Sequence, residues 1–165
     1  MTTDAVDGIV EQWARERPEM PVDSIGVVAR VLRIAKIITD ERRRTLAELG
    51  IDSATLDLLA TLRRSGPPYR MTPAEIAAHC LVSGGAVSQR VARAEDAGFV
   101  RTERTGSGRR TMAVVLTERG HRVIEHNIEA LIARERALIA GVSGADRARL
   151  EGLLRDLLAG MSRPS

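Results

Sequence analysis

Apolar residues recur along this chain at helical spacing in seven blocks, and polar turn signals separate them. Val6, Ile9, Val10 and Trp13 predict a short amphipathic helix from Asp4 to Arg17, closed by Pro18 and Pro21. A longer helix runs from Asp23 to Leu49. Val27, Val28, Val31, Ile34, Ile37 and Ile38 line one side, Asp23 or Ser24 caps its start, and Gly50 ends it. "IDSATLDLLATLRRSG" predicts a third helix between a cap at Asp52 or Ser53 and a stop at Gly66. "MTPAEIAAHCL" predicts a fourth, with Thr72 as N-cap, Pro73 at the first position and Glu75 closing a capping box. After a turn at Val82, Ser83 caps a fifth helix that reaches about Ala97 and stops at Gly98.

The period then changes. "FVRTER" and "RTMAVVL" read as two short strands joined by the flexible "TGSG". Thr117 caps a long helix ending near Gly141, and Ser143 opens a last one through Met161. Two short helices around a tight turn, followed by a hairpin, predict a mainly α fold: a winged helix-turn-helix with a small β-hairpin wing. The terminal helices carry apolar stripes that so compact a centre has no room to cover. The expected division is 1–50 for N-terminal helices of a dimerisation region, 51–117 for the winged domain and 118–165 for C-terminal dimerisation helices.

Composition narrows the partners. Of 165 residues, 44% are hydrophobic but only 2% aromatic, so the core is built from Leu, Ile, Val and Ala. Single-stranded nucleic acid, which stacks on aromatic platforms, fits poorly. The net charge is +3 and the pI about 9.9, and Lys36 is the only lysine. Arginine suits bidentate contacts to phosphates and base edges. A GC-rich coding bias would give the same composition, so placement decides. Cys80 is the single cysteine, which excludes an internal disulfide. No apolar run approaches the roughly 18 residues of a membrane helix and no signal segment stands out, so a cytoplasmic protein without a membrane partner is expected.

"LVSGGAVSQR" concentrates the candidate chemistry. In a helix-turn-helix the second helix brings its N-terminal residues to base edges in the major groove. Gly84, Gly85 and Ala86 leave its tip almost bare. Ser83 caps it, and Ser88 and Gln89 occupy the next turn. Gln pairs with adenine, and Ser reads either base or phosphate. Val87, Val91 and Ala94 form a core stripe. Arg90 and Arg93 lie off that stripe; Arg93 is placed to reach backbone or base. In the wing, Arg109 is the best candidate for minor-groove insertion, with Arg110 beside it. A nucleotide loop needs a lysine and a preceding strand, and neither is present. His79, His121 and His126 form no metal or catalytic pattern; the two histidines of "HRVIEH" are one residue too far apart to share a helix face. No enzyme activity and no cofactor are expected.

The run "MTPAEIAAHCLVSGGAVSQRVARAEDAGFVRTE", the wing leading into "AVVLTERG" and the flanking helices together resemble the MarR family of transcriptional regulators, over about Asp23 to Gly160. The resemblance implies a homodimer joined through its terminal helices, with two winged lobes on a pseudo-palindromic double-stranded DNA site, most often as a repressor. Family wings usually carry an Asp-x-Arg-Asp pattern, which Thr105 to Gly108 lack. The added first helix bearing Trp13, followed by "ERPE", is similar to the urate-responsive branch. That likeness implies a small anionic metabolite bound by Trp13, Asp57 and Arg90, while a further arginine of that branch falls on Thr102. Two other readings stand beside this one: a redox-responsive repressor acting through Cys80, and a winged-helix protein-interaction module without DNA binding.

Overall fold

The computed structural model describes residues 3–105 and 111–161. The elements are α1 (Ala5–Glu16), α2 (Asp23–Glu48), α3 (Ser53–Arg64), β1 (Arg70–Met71), α4 (Pro73–Cys80), α5 (Gly84–Asp96), β2 (Val100–Thr105), β3 (Thr111–Leu116), α6 (Glu118–Leu138) and α7 (Gly144–Met161). The mainly α winged helix-turn-helix is as the apolar pattern predicts.

Local capping fixes most of the boundaries. Asp4 accepts from the backbone of Val6 and Asp7 while Asp7 answers to Asp4, a complete capping box at α1. Thr72 and Glu75 form a second box at α4, with Pro73 pre-set for the first turn. Asp52, Ser83 and Thr117 each accept a backbone N–H at the starts of α3, α5 and α6. The start of α2 departs from expectation. Its N-cap is Val22, with no side-chain cap, and Asp23 already belongs to the helix, so its carboxylate acts only on the helix dipole. Helix α6 also stops earlier than Gly141. It ends at Leu138, and turn bonds from Ala140 to Ala137 and from Val142 to Ile139 loosen the chain before α7.

The sheet has three antiparallel strands in the order β1-β3-β2. β1 was not legible in the sequence: two residues show no alternation, and their pairing partners, Val115 and Val114, are supplied from far along the chain. The core forms where α3 passes through the middle. Leu56, Leu58, Leu59 and Leu62 of α3 meet Ile76, Val87, Ala94, Val100, Val114, Leu116, Ile124 and Leu131. Aromatic rings contribute only at the edge, where Tyr69 and Phe99 are partly buried.

Outside this centre burial is sparse, with Val6 of α1 the main exception. α2 buries only Thr45 and Leu46, and α7 buries nothing. α1 is held to α2 by Arg30, which pairs with Asp4 at 2.9 Å and Asp7 at 2.6 Å. Hydrogen bonds hold both carboxyls below the usual aspartate range, chiefly that from Arg30 at Asp4, and at Asp7 that from the Asp4 backbone N–H followed by Arg30.

Candidate nucleic-acid interface

The helix-turn-helix consists of α4 and α5. The turn takes only Leu81, Val82 and Ser83 because Leu81 adopts the left-handed conformation, φ 52° and ψ 45°, at the end of α4. A leucine there is unusual, and its side chain is almost wholly exposed. Ser83 Oγ then accepts from the Ala86 backbone at 3.3 Å, so α5 starts with its remaining N–H groups open to solvent. A β-carbon at either Gly84 or Gly85 would meet no atom within 4 Å. The protein itself therefore does not require glycine at the tip.

Val87 and Ala94 are fully buried and anchor α5 on the core. Gln89 is exposed on the outer face, and Ser88 beside it donates its hydroxyl back to Gly84 O at 3.1 Å while keeping its lone pairs free. Arg93 is exposed and turned towards the start of α3. Burial raises the Asp52 carboxyl, but hydrogen bonds from Thr55 and the charge of Arg93 outweigh it and leave Asp52 below its ordinary value.

Arg90 points the other way from Gln89, into the protein. Its side chain is 16% exposed, and one terminal nitrogen, Nη1, is buried without a hydrogen-bond partner, 3.9 Å from Asp57 Oδ2. Asp57 is 53% exposed in the same pair. Trp13, on α1, is half-exposed, and its indole makes no ring or cation–π contact among the described residues. Thr102 lies on the opposite flank of α5 from Arg90, in a groove with Ser88, Ala92 and Glu95. The structure thus joins Asp57 to Arg90 but leaves Thr102 apart from them.

Glu95 was not singled out in the sequence, yet it positions the wing. Its carboxylate accepts from Thr102 N at 2.8 Å, tying β2 to the flank of α5. Nothing in a charged helical position announces that role; only the strand's return supplies the donor. The wing then leaves this anchor with Arg104 exposed. Arg109 and Arg110 lie outside the described residues. Cys80 sits half-buried against the core, its Sγ 3.5 Å from Thr61 Oγ1. Among the described residues no cluster of His, Cys, Asp and Glu could hold a metal ion, and no helix is long and apolar enough to cross a membrane.

A bare-tipped helix on a compact tri-helical core, flanked by a strand-anchored hairpin, defines the winged helix-turn-helix class. The MarR family model matches residues 49–111. The HTH-type transcriptional regulator PecS of Dickeya dadantii is 29% identical over 149 residues, covering 90% of each chain. Two Streptomyces coelicolor structures share the fold. AbsC, a MarR family transcriptional regulator, superposes with a TM-score of 0.73 at 23% identity, covering 87% of this chain and 97% of that one. Sco3205, a MarR family regulator solved in complex with DNA, gives 0.74 at 22%, covering 88% and 92%. Over residues 49–111 this chain thus matches the MarR family model, and along most of its length it is similar in fold to MarR family regulators. The proteins it resembles are transcriptional regulators rather than enzymes.

Proposed function

We propose that this regulator is a cytoplasmic homodimeric repressor that binds a pseudo-palindromic DNA duplex and is released by a small anionic ligand. The single observation that supports the DNA half best is the tip of α5. Two glycines stand where the fold leaves open space, so their smallness serves something outside the chain. Ser83, Gly84 and Gly85 approach the groove, Ser88 and Gln89 read bases, Arg93 reaches the backbone, and Arg109 and Arg110 of the wing enter the minor groove. Residues 51–117 form the DNA-binding unit, with 1–50 and 118–165 dimerising.

Gly85→Ala separates this role from folding. Alanine in the first turn of α5 meets no neighbour and is a better helix former by up to about 1 kcal/mol, so thermal stability holds or rises. Affinity for the operator, located by footprinting the upstream region of the regulator's own gene, is expected to fall by about tenfold or more, because a methyl now stands where the groove floor approaches. Wild-type affinity should also drop steeply with salt as counterions are released. A flat salt response would favour a protein-interaction module instead.

The ligand half rests on the orphaned Nη1 of Arg90. A buried guanidinium N–H without an acceptor is costly, and an anion beside Asp57 would satisfy it. Trp13 on α1 completes the proposed set. With urate as the probe, wild-type protein should release the operator, whereas Arg90→Gln should bind DNA normally and fail to release. Release that persists in Arg90→Gln removes Arg90 from the pocket. Nothing positioned around Cys80 favours redox control; Cys80→Ser is expected to leave the response unchanged.

A further inference from the structure

The turn between α4 and α5 carries a residue that folding does not explain. Leu81 sits there in the left-handed region, which glycine and asparagine adopt with far less strain. Its backbone is in use: the N–H groups of Leu81 and Val82 both donate to Ala77 O and close α4, while Val82 packs against the core. Its side chain is not in use. It is 91% exposed, more than any other large apolar side chain among the described residues, and it takes no part in the core. Glycine would make the same turn without strain, so the turn itself does not call for leucine.

Subunit contact does not account for it either. Most other exposed large apolar side chains lie on α2, α6 and α7, the helices proposed above to dimerise. Leu81 is the only one among the described residues from α3 through β2. It stands two residues before Ser83, beside the exposed Gly84 and Gly85 at the bare tip of α5. That tip is what the proposed function brings to the major groove, and the present inference rests on that reading. The base edges there offer one apolar group, the 5-methyl of thymine. We infer that Leu81 is a specificity-determining residue that covers a thymine methyl next to the bases proposed for Ser88 and Gln89. Leucine supplies, at the edge of the tip, the apolar bulk that the two glycines lack. The strained turn holds it there on a backbone fixed by both of its N–H bonds.

Uracil differs from thymine only by that methyl, so single thymine-to-deoxyuridine exchanges in the footprinted operator test the contact one group at a time. Exchange at one thymine of each half-site should weaken wild-type binding by about threefold or more, the scale of one buried methyl. Leu81→Gly should bind the thymine operator more weakly by a similar factor and be indifferent to the exchange at that position. Leu81→Met, which keeps an apolar side chain, should keep the preference for thymine. Leu81→Gly should melt close to wild type, because no packing is lost and the left-handed turn is relieved. Leu81→Asn, which also tolerates this conformation, takes its place if glycine loosens the turn. Should wild type tolerate deoxyuridine at every position, or should the loss persist unchanged in Leu81→Gly, the inference is overturned while DNA binding stands. A wild-type chain that binds no duplex at all sinks the DNA-binding reading itself, and this inference with it.

Discussion

Gly120→Ala is expected to destabilise the protein by about 3 kcal/mol or more, although alanine is the better helix former. A β-carbon on Gly120 would stand 2.0 Å from the carbonyl oxygen and 3.0 Å from the carbonyl carbon of Phe99, and 3.1 Å from a methyl of Leu116. The first two are backbone atoms and cannot swing away. They are also in use. Thr117 N donates to that same Phe99 oxygen at 3.0 Å, and Thr117 Oγ1 donates to Gly98 O at 2.7 Å while accepting from Gly120 N at 3.0 Å. The start of α6 is thereby clamped onto the corner between α5 and β2. Relieving the clash means lifting α6 off that corner and breaking the clamp, which outweighs a helix-propensity gain of at most about 1 kcal/mol. For a chain of this size the melting temperature should fall by roughly 6–12 °C. Melts followed by circular dichroism at one fixed protein concentration would show it. Gly8→Ala, where a β-carbon meets nothing within 4 Å, serves as the control and should not lower the melting point. A Gly120→Ala protein as stable as wild type would mean that the corner is free to open.

The same corner shows what a sequence discloses and what it does not. "LTERG" is legible as a strand passing into a capped helix, and the family resemblance draws attention to its glycine. Why alanine is excluded depends on a carbonyl 21 residues earlier, and only the fold brings that carbonyl there. The caps at Thr72, Ser83 and Thr117, and Asp52 as one of two candidates, were legible because each is a local bond spanning two or three residues. β1 and the Glu95 tether to Thr102 were not, because each depends on a neighbour supplied by a later element of the chain. Within the site, helical periodicity set Val87, Val91 and Ala94 on the core and left Arg90 off that stripe; only the resemblance joined Arg90 to Asp57. Neither could reveal that one nitrogen of Arg90 would be left without an acceptor.

The largest effect on assembly is expected from Leu154→Asp, which should convert the protein from dimer to monomer. The reason is the unequal distribution of apolar surface. α7 has no buried residue, yet Leu150, Leu153, Leu154, Leu157 and Met161 recur on one side at helical spacing, and every one of them is exposed in the single chain. α2 likewise exposes Val27, Val28, Ile34 and Ile37. Monomeric proteins rarely leave so continuous an apolar surface in water, and a second copy of the chain covers it in the proposed assembly. A carboxylate in the middle of the α7 stripe would have to be buried without a partner in each subunit, at a cost of several kcal/mol per interface. Light scattering at concentrations where the wild type is dimeric should give half its mass. Helical content should barely change, because Leu154 supports no packing within its own chain. Operator affinity should fall much further than the loss of one contact would explain, since two half-sites would no longer be bound as one unit. Arg155→Ala, one position along but off the stripe and paired with Glu151, should leave the dimer intact. If Leu154→Asp stays dimeric, α7 lies outside the interface. The exposed stripe of α2, with Ile132, Leu138 and Ile139 near the end of α6, would then have to hold the two chains together alone.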